Sequence, residues 1–117
     1  MPNNKLIGDK GEKLAQEFLK KKGYKILDTN FYTKIGEIDI VCYDKQSKTT
    51  VFVEVKYRDT LKYGYPREAV GVYKQNKIKS VAQSYMMSHD IFNEKIRFDV
   101  VEIIDTDITH IENAFWV

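Results

Sequence analysis

Glu54 and Lys56 lie in VFVEVKYR (residues 51–58), an alternating run that reads as a β-strand with both side chains on the face of Phe52. EIDIVCYD (residues 37–44) reads as its neighbour, with Glu37, Asp39 and Val41 on one face and Ile38, Ile40 and Cys42 on the other. If the hairpin closes on the polar loop KQSK with Asp44 opposite Thr49, Asp39 falls across from Glu54 and Glu37 across from Lys56. Carboxylates on opposed rungs repel, and burial sharpens the repulsion. A shared proton relieves it, and so does a cation: Lys56 offers one positive charge, a divalent metal two. Oxygen donors with room left for water suit Mg²⁺ or Mn²⁺. Phosphodiester hydrolysis can use that set, with the metal polarising a phosphoryl oxygen and acidifying a water while a lysine steadies the developing charge. The same residues also fit a plainer description, an exposed sheet face with a Glu37–Lys56 ion pair worth ~0.2–1 kcal/mol.

A third carboxylate comes from the start of the chain. Between residues 4 and 22, Ile7, Leu14, Ala15, Phe18 and Leu19 form a helical stripe, with Asn4 placed to cap it and Gly23 to stop it. Glu12 borders that stripe. Gly8 and Gly11 each cost about 1 kcal/mol in a helix relative to Ala; close approach to the sheet is the compensation, and it would carry Glu12 toward the strand carboxylates. On periodicity alone, Glu12 is equally well a border residue facing solvent.

The elements that must position these groups follow in order. After the first helix, residues 23–31 read as a strand, and the two strands above complete a three-strand meander. The stretch DTLKYGYPREAVG reads as a loop with turn signals at Gly64 and Pro66. A second helix is expected over residues 73–87, with Ile78, Val81, Ala82 and Tyr85 inward. RFDVVEII reads as a fourth strand and ITHIENAF as a short fifth. A helix between the third and fourth strands permits a parallel crossover, so the expected fold is α/β: a mixed sheet with helices packed on it.

Composition sets the outer bounds. The 117 residues suffice for one domain (1–117) with its own core, and 43% hydrophobic with 31% charged is ordinary for a globular protein. The lone Cys42, in an apolar run, reads as a buried structural thiol in a reducing compartment. No apolar stretch has the length of a signal peptide's core or of a membrane span, so a cytoplasmic protein is expected. Residues 1–89 carry 17 Lys or Arg against 10 Asp or Glu, and residues 90–117 carry 2 against 7. A basic face for phosphate is thus available in the first part of the chain, although a lysine-rich solvated surface satisfies the same count.

GDKGEKLAQEFLKKKGYKIL, GEIDIV, VFVEVKYR, GYPREAV with Lys74, RFDVV and HIENAF, in that order, resemble the YraN-like family of bacterial proteins over nearly the whole chain. That family is grouped with endonucleases by its motifs and is similar to archaeal Holliday-junction resolvases of the PD-(D/E)xK class. The resemblance implies a restriction-endonuclease-like core and a metal-dependent nuclease acting on DNA, including branched or structured DNA, as a homodimer with one site per cut strand. Carried over by residue, it implies Glu12, Asp39, Glu54 and Lys56 as the catalytic set. Asp39, Glu54, the Val55 carbonyl and Glu12 would hold Mg²⁺ or Mn²⁺, and Lys56 would orient the nucleophile. Ile38 stands where the class-naming proline would be, and Tyr32 near where YraN-like sequences tend to carry an arginine.

Around this set, Arg58 could meet a phosphate at the end of the third strand, or pair with Asp59 or Glu68. Tyr63, Tyr65 and Arg67 on the following loop could stack on splayed bases or simply pack. Lys74 and Lys77, at the start of the second helix, are candidate phosphate contacts or a solvated face. His89 and His110 lack ligand spacing, and Asp99 reads as an anchor for a cation or a backbone group. Two other functions stay open on sequence grounds: a nucleic-acid-binding protein without turnover, and an assembly module with no nucleic-acid role.

Overall fold

In the computed structural model, residues 4–58, 71–92 and 94–115 are described, with side chains in the first helix from residue 10 onward. The elements are α1 (Asn4–Lys21), β1 (Tyr24–Tyr32), β2 (Glu37–Asp44), β3 (Thr49–Arg58), α2 (Val72–Ser88), β4 (Lys95–Ile104) and β5 (Asp107–Ile111). The strands form one sheet in sequence order, antiparallel except for the β3–β4 pair, which α2 joins in parallel. The fold is the expected α/β mixed sheet with helices packed on it, two of them among the described residues.

Local chemistry accounts for the boundaries. Gly23 ends α1 with φ +93°, and its N–H donates to Lys20 O at 3.0 Å, a left-handed stop that glycine reaches without strain. In the β2–β3 turn, Asp44 Oδ1 accepts from the Gln46 N–H at 3.1 Å and Asp44 Oδ2 from the Ser47 hydroxyl at 2.7 Å. That turn sets the register at Asp44↔Thr49, and the ladder runs as expected to Ile40↔Val53.

The apolar side chains divide into two clusters. Ala15 and Leu19 of α1 pack on Ile40, Cys42, Val51, Val53, Val101 and Ile103. Ile78, Val81, Ala82 and Tyr85, the four inward residues expected of α2, pack on Ile38, Val41, Phe52, Phe98 and Val100. Burial pushes the Cys42 thiol up to about 12, so it is a packing group rather than a nucleophile.

The fifth strand is shorter than expected. Asn113 takes φ +54°, its N–H donates to Asp99 Oδ1 at 3.0 Å, and the Ala114 N–H donates to Phe98 O at 2.7 Å. The chain leaves the ladder after Ile111 so that Phe115 can stack on Phe98. Asp99, fully buried, is the anchor of this corner: it accepts twice from Arg97 at 2.8 Å and lies 2.6 Å from His110 Nε2. Arg97 also donates to the Tyr24 hydroxyl at 2.7 Å, tying β1 to the same network. Among the described residues, no helix is long and apolar enough to cross a membrane.

Candidate metal centre

Strict alternation fails at Asp39. Ile38 packs in the α2 cluster and Ile40 in the α1 cluster, although residues two apart on a regular strand share a face. One alternation is therefore skipped, which corrects the expectation that Ile38, Ile40 and Cys42 lie together. The rung opposite is irregular as well. Between Thr29↔Ile40 and Phe31↔Ile38 the register sets Asn30 against Asp39, and Asn30 is left-handed with φ +53°. Such irregularities re-aim a side chain and interrupt pairing.

The consequence is a fork between β2 and β3. Beyond Ile40↔Val53, β2 continues along β1 to Tyr32↔Glu37, while β3 continues along β4 to Arg58↔Ile104. The Asp39 carboxylate stands in the fork, where its Oδ2 accepts the Val55 N–H at 2.8 Å. A side chain thus satisfies a backbone donor that the ladder has released.

Glu12 arrives from α1 through a close helix–sheet contact. A Cβ added at Gly11 would lie 2.9 Å from Tyr57 Cβ and 3.3 Å from Cγ, so glycine lets the helix sit down on β3. We expect Gly11→Ala to destabilise the protein by about 1–3 kcal/mol through overpacking, outweighing the ~1 kcal/mol that alanine gains in helix propensity. Urea unfolding would measure this; a stabilised variant would mean that the contact is slack. Gly8 lies among the residues whose side-chain surroundings are not described.

Carboxylate oxygens of Glu12, Glu37 and Asp39 lie within 4.8 Å of one another. Burial raises the Asp39 carboxyl most, Glu54 raises it further, the Val55 N–H opposes, and Glu12 and Glu37 add to the rise; the net is a pKa pushed up to about 8. An array of hard oxygen donors that crowds negative charge to this degree fits Mg²⁺ or Mn²⁺, with waters completing the shell.

Residues 11–103 match the uncharacterised protein family UPF0102. A UPF0102 protein of Clostridioides difficile is 48% identical over 115 residues, covering 97% of this chain and 99% of that one. Another, from Caldicellulosiruptor saccharolyticus, is 46% identical over 119 residues, covering 97% and 99%. The chain belongs to the UPF0102 family. This is the YraN-like family that the motifs resemble, and the names of these UPF0102 relatives state no activity.

The other residues singled out in this UPF0102 chain distribute unevenly around the fork. Glu54 is buried next to Asp39 but lies outside the three-carboxylate set, its Oε1 being 2.6 Å from Lys74 Nζ. Lys74 thus reaches the site from the first turn of α2, with its side chain 55% exposed. Lys56, half-buried, follows Glu54 by two residues and is the register partner of Glu102 on β4. Arg58 is exposed at the end of β3, where its carbonyl accepts the Asp105 N–H at 3.0 Å. Tyr63, Tyr65 and Arg67 lie outside the described residues. Lys77 holds its ammonium over the Tyr73 ring, 4.6 Å from the centroid. Glu37 joins the cluster although sequence reading gave it only an ion pair; the available signal was its spacing of two from Asp39 in GEID.

Proposed function

We propose that this protein is a metal-dependent nuclease that hydrolyses phosphodiester bonds in DNA, branched or structured DNA included. The observation that carries the reading is the convergence of Glu12, Glu37 and Asp39 in a strand fork beside Glu54, where burial and the neighbouring carboxylates push the Asp39 carboxyl up. Stability alone does not explain such crowding. Asp39, Glu12 and Glu37, with Glu54 alongside, would hold Mg²⁺ or Mn²⁺, which when bound makes a phosphoryl oxygen more electrophilic and a water more acidic. Lys56 places a cation near the reacting phosphate and orients the water. The Val55 N–H fixes the Asp39 carboxylate, and Lys74 compensates Glu54. The order helix, meander, crossover helix, parallel strand is that of the restriction-endonuclease-like core implied by the motifs, which supports the reading, and a homodimer would supply two such sites to a branched substrate.

The test separates binding from turnover. In Mn²⁺ or Mg²⁺, the native protein should cleave a labelled four-way or flapped DNA. Lys56→Met should lower that rate by about 10²–10³-fold, as removal of a transition-state charge partner does, with Mn²⁺ binding by calorimetry retained. Cleavage at the native rate by Lys56→Met overturns the assigned role. Metal binding without cleavage of any DNA by the native protein overturns the nuclease reading in favour of nucleic-acid binding without turnover.

A further inference from the structure

An open groove of about 540 Å³ runs along the outer side of α1 against β1 and shares Glu12 with the carboxylate cluster. Its flank carries the exposed Lys10 and Lys13 together with Gln16 and Asn30; Leu14 is its apolar residue and Glu17 the acidic one besides Glu12. Asn30 is the residue set against Asp39 in the β1–β2 register, so groove and carboxylates meet at one rung. Two residues on, Tyr32 is the register partner of Glu37 and is 75% exposed. A large aromatic ring held in solvent by the same strand as Asn30, two residues on, has a flat face to offer and little apolar packing of its own.

We infer that this groove receives an unpaired DNA strand and leads it to the metal centre, with a base stacked on Tyr32 and the backbone phosphates met by Lys10 and Lys13. The inference rests on the nuclease reading for what happens at Glu12 and goes beyond it in substrate class: the scissile strand enters single-stranded, as at a flap or fork, not within a continuous duplex. Three features select that occupant. Lys10 and Lys13 stand exposed beside Leu14, and once Glu12 is engaged by a metal the two ammoniums outnumber Glu17, which suits a phosphate backbone more than a peptide. An exposed ring gives sequence-tolerant stacking to a base that is already splayed out, whereas paired bases in a duplex have no free face to offer. Amide side chains at Gln16 and Asn30 supply neutral donors and acceptors for base edges or sugars.

The test measures binding, with no cleavage required. Fluorescence anisotropy of a labelled oligothymidylate and of a blunt duplex of equal length would be followed in Mn²⁺ and in chelator, for the native protein, Tyr32→Ala and the double variant Lys10→Ala/Lys13→Ala. All three positions are exposed, and circular dichroism would verify folding. The oligothymidylate should bind more tightly than the duplex. Tyr32→Ala should weaken it about tenfold, the effect of losing one stacked base. The lysine pair should lower the slope of log affinity against log salt by about 1.4. Calorimetric Mn²⁺ binding should be unchanged in all of them. Native-like oligonucleotide binding by both variants, a preference for the duplex, or no oligonucleotide binding by the native protein would each overturn the inference. Groove-dependent binding in a protein that takes up no metal would uphold it while removing the nuclease reading.

Discussion

Asp39→Asn is expected to abolish Mn²⁺ binding and, in the same protein, to raise stability in the absence of metal. The asparagine oxygen can still accept the Val55 N–H that Asp39 Oδ2 takes at 2.8 Å, so the fork keeps its backbone partner. What disappears is a buried carboxylate whose charged form is opposed by Glu54, Glu12 and Glu37. The sign follows from linkage. The folded-state pKa, about 8, is raised above the ordinary 3.8, so the folded protein binds a proton that the unfolded chain has lost at intermediate pH. Whatever stability that proton carries is fully present below about pH 4 and is lost as pH rises through about 8. The variant does not titrate there. Its melting temperature should therefore pull ahead of the native protein's progressively from pH 5 to pH 8, by about 5 °C or more, and the gap should level off above that range.

Saturating Mn²⁺ reverses the order. A cation binds the ionised native cluster and displaces its proton, so the native protein gains stability and gains more of it at higher pH. The variant should gain little, its affinity for Mn²⁺ having dropped by at least about a hundredfold, the upper end of the cost of disturbing even an outer partner of a ligand. Thermal melts at four pH values with and without Mn²⁺ decide the matter. A gap that does not change with pH would mean that Asp39 is an ordinary ionised carboxylate, and equal Mn²⁺ stabilisation of both proteins would remove it from the metal centre.

The second large effect belongs to the opposite kind of buried charge. Asp99→Ala should cost about 3 kcal/mol, the low end for breaking a buried ion pair, because Arg97 and His110 lose the buried carboxylate they share while Arg97 keeps Asp44 at 3.6 Å and Glu112 at 3.1 Å. Burial alone would raise the Asp99 carboxyl, but hydrogen bonds from His110, Arg97 and the Asn113 N–H more than offset that and hold it below the usual range. Its contribution is accordingly present above about pH 4 and disappears as pH falls through the lowered folded-state value. The measurement is urea unfolding at pH 7 and again near pH 3. The loss should be largest at pH 7 and smaller in acid, where the native protein has lost part of the same stabilisation. A loss under 1 kcal/mol at pH 7 would mean that water replaces the carboxylate at little cost.

These two aspartates show what local sequence could and could not say. The stripe of α1, the inward face of α2, the Gly23 stop and the KQSK hairpin were all legible, because each depends on residues within a few positions of one another. The hairpin register, in turn, brought Asp39 toward Glu54. Alternation, however, predicts regular faces, and β2 is not regular. The skip at Asp39 arises because Asn30 opposite is left-handed and because Ile38 and Ile40 are claimed by helices on different sides of the sheet. No window of sequence contains both causes.

The remaining assignments have the same character. Lys74 reaches Glu54 only because the crossover lays the start of α2 beside β3, and Asp99 gathers partners from β4, β5 and the chain beyond β5. Sequence alone determined the types of the chemical groups, the strands and helices that carry them, and one hairpin's register, all set by short-range sterics and periodic burial. Tertiary structure decided which carboxylates share a site and which are neutralised, since charge, desolvation and packing act through space between segments far apart in the chain.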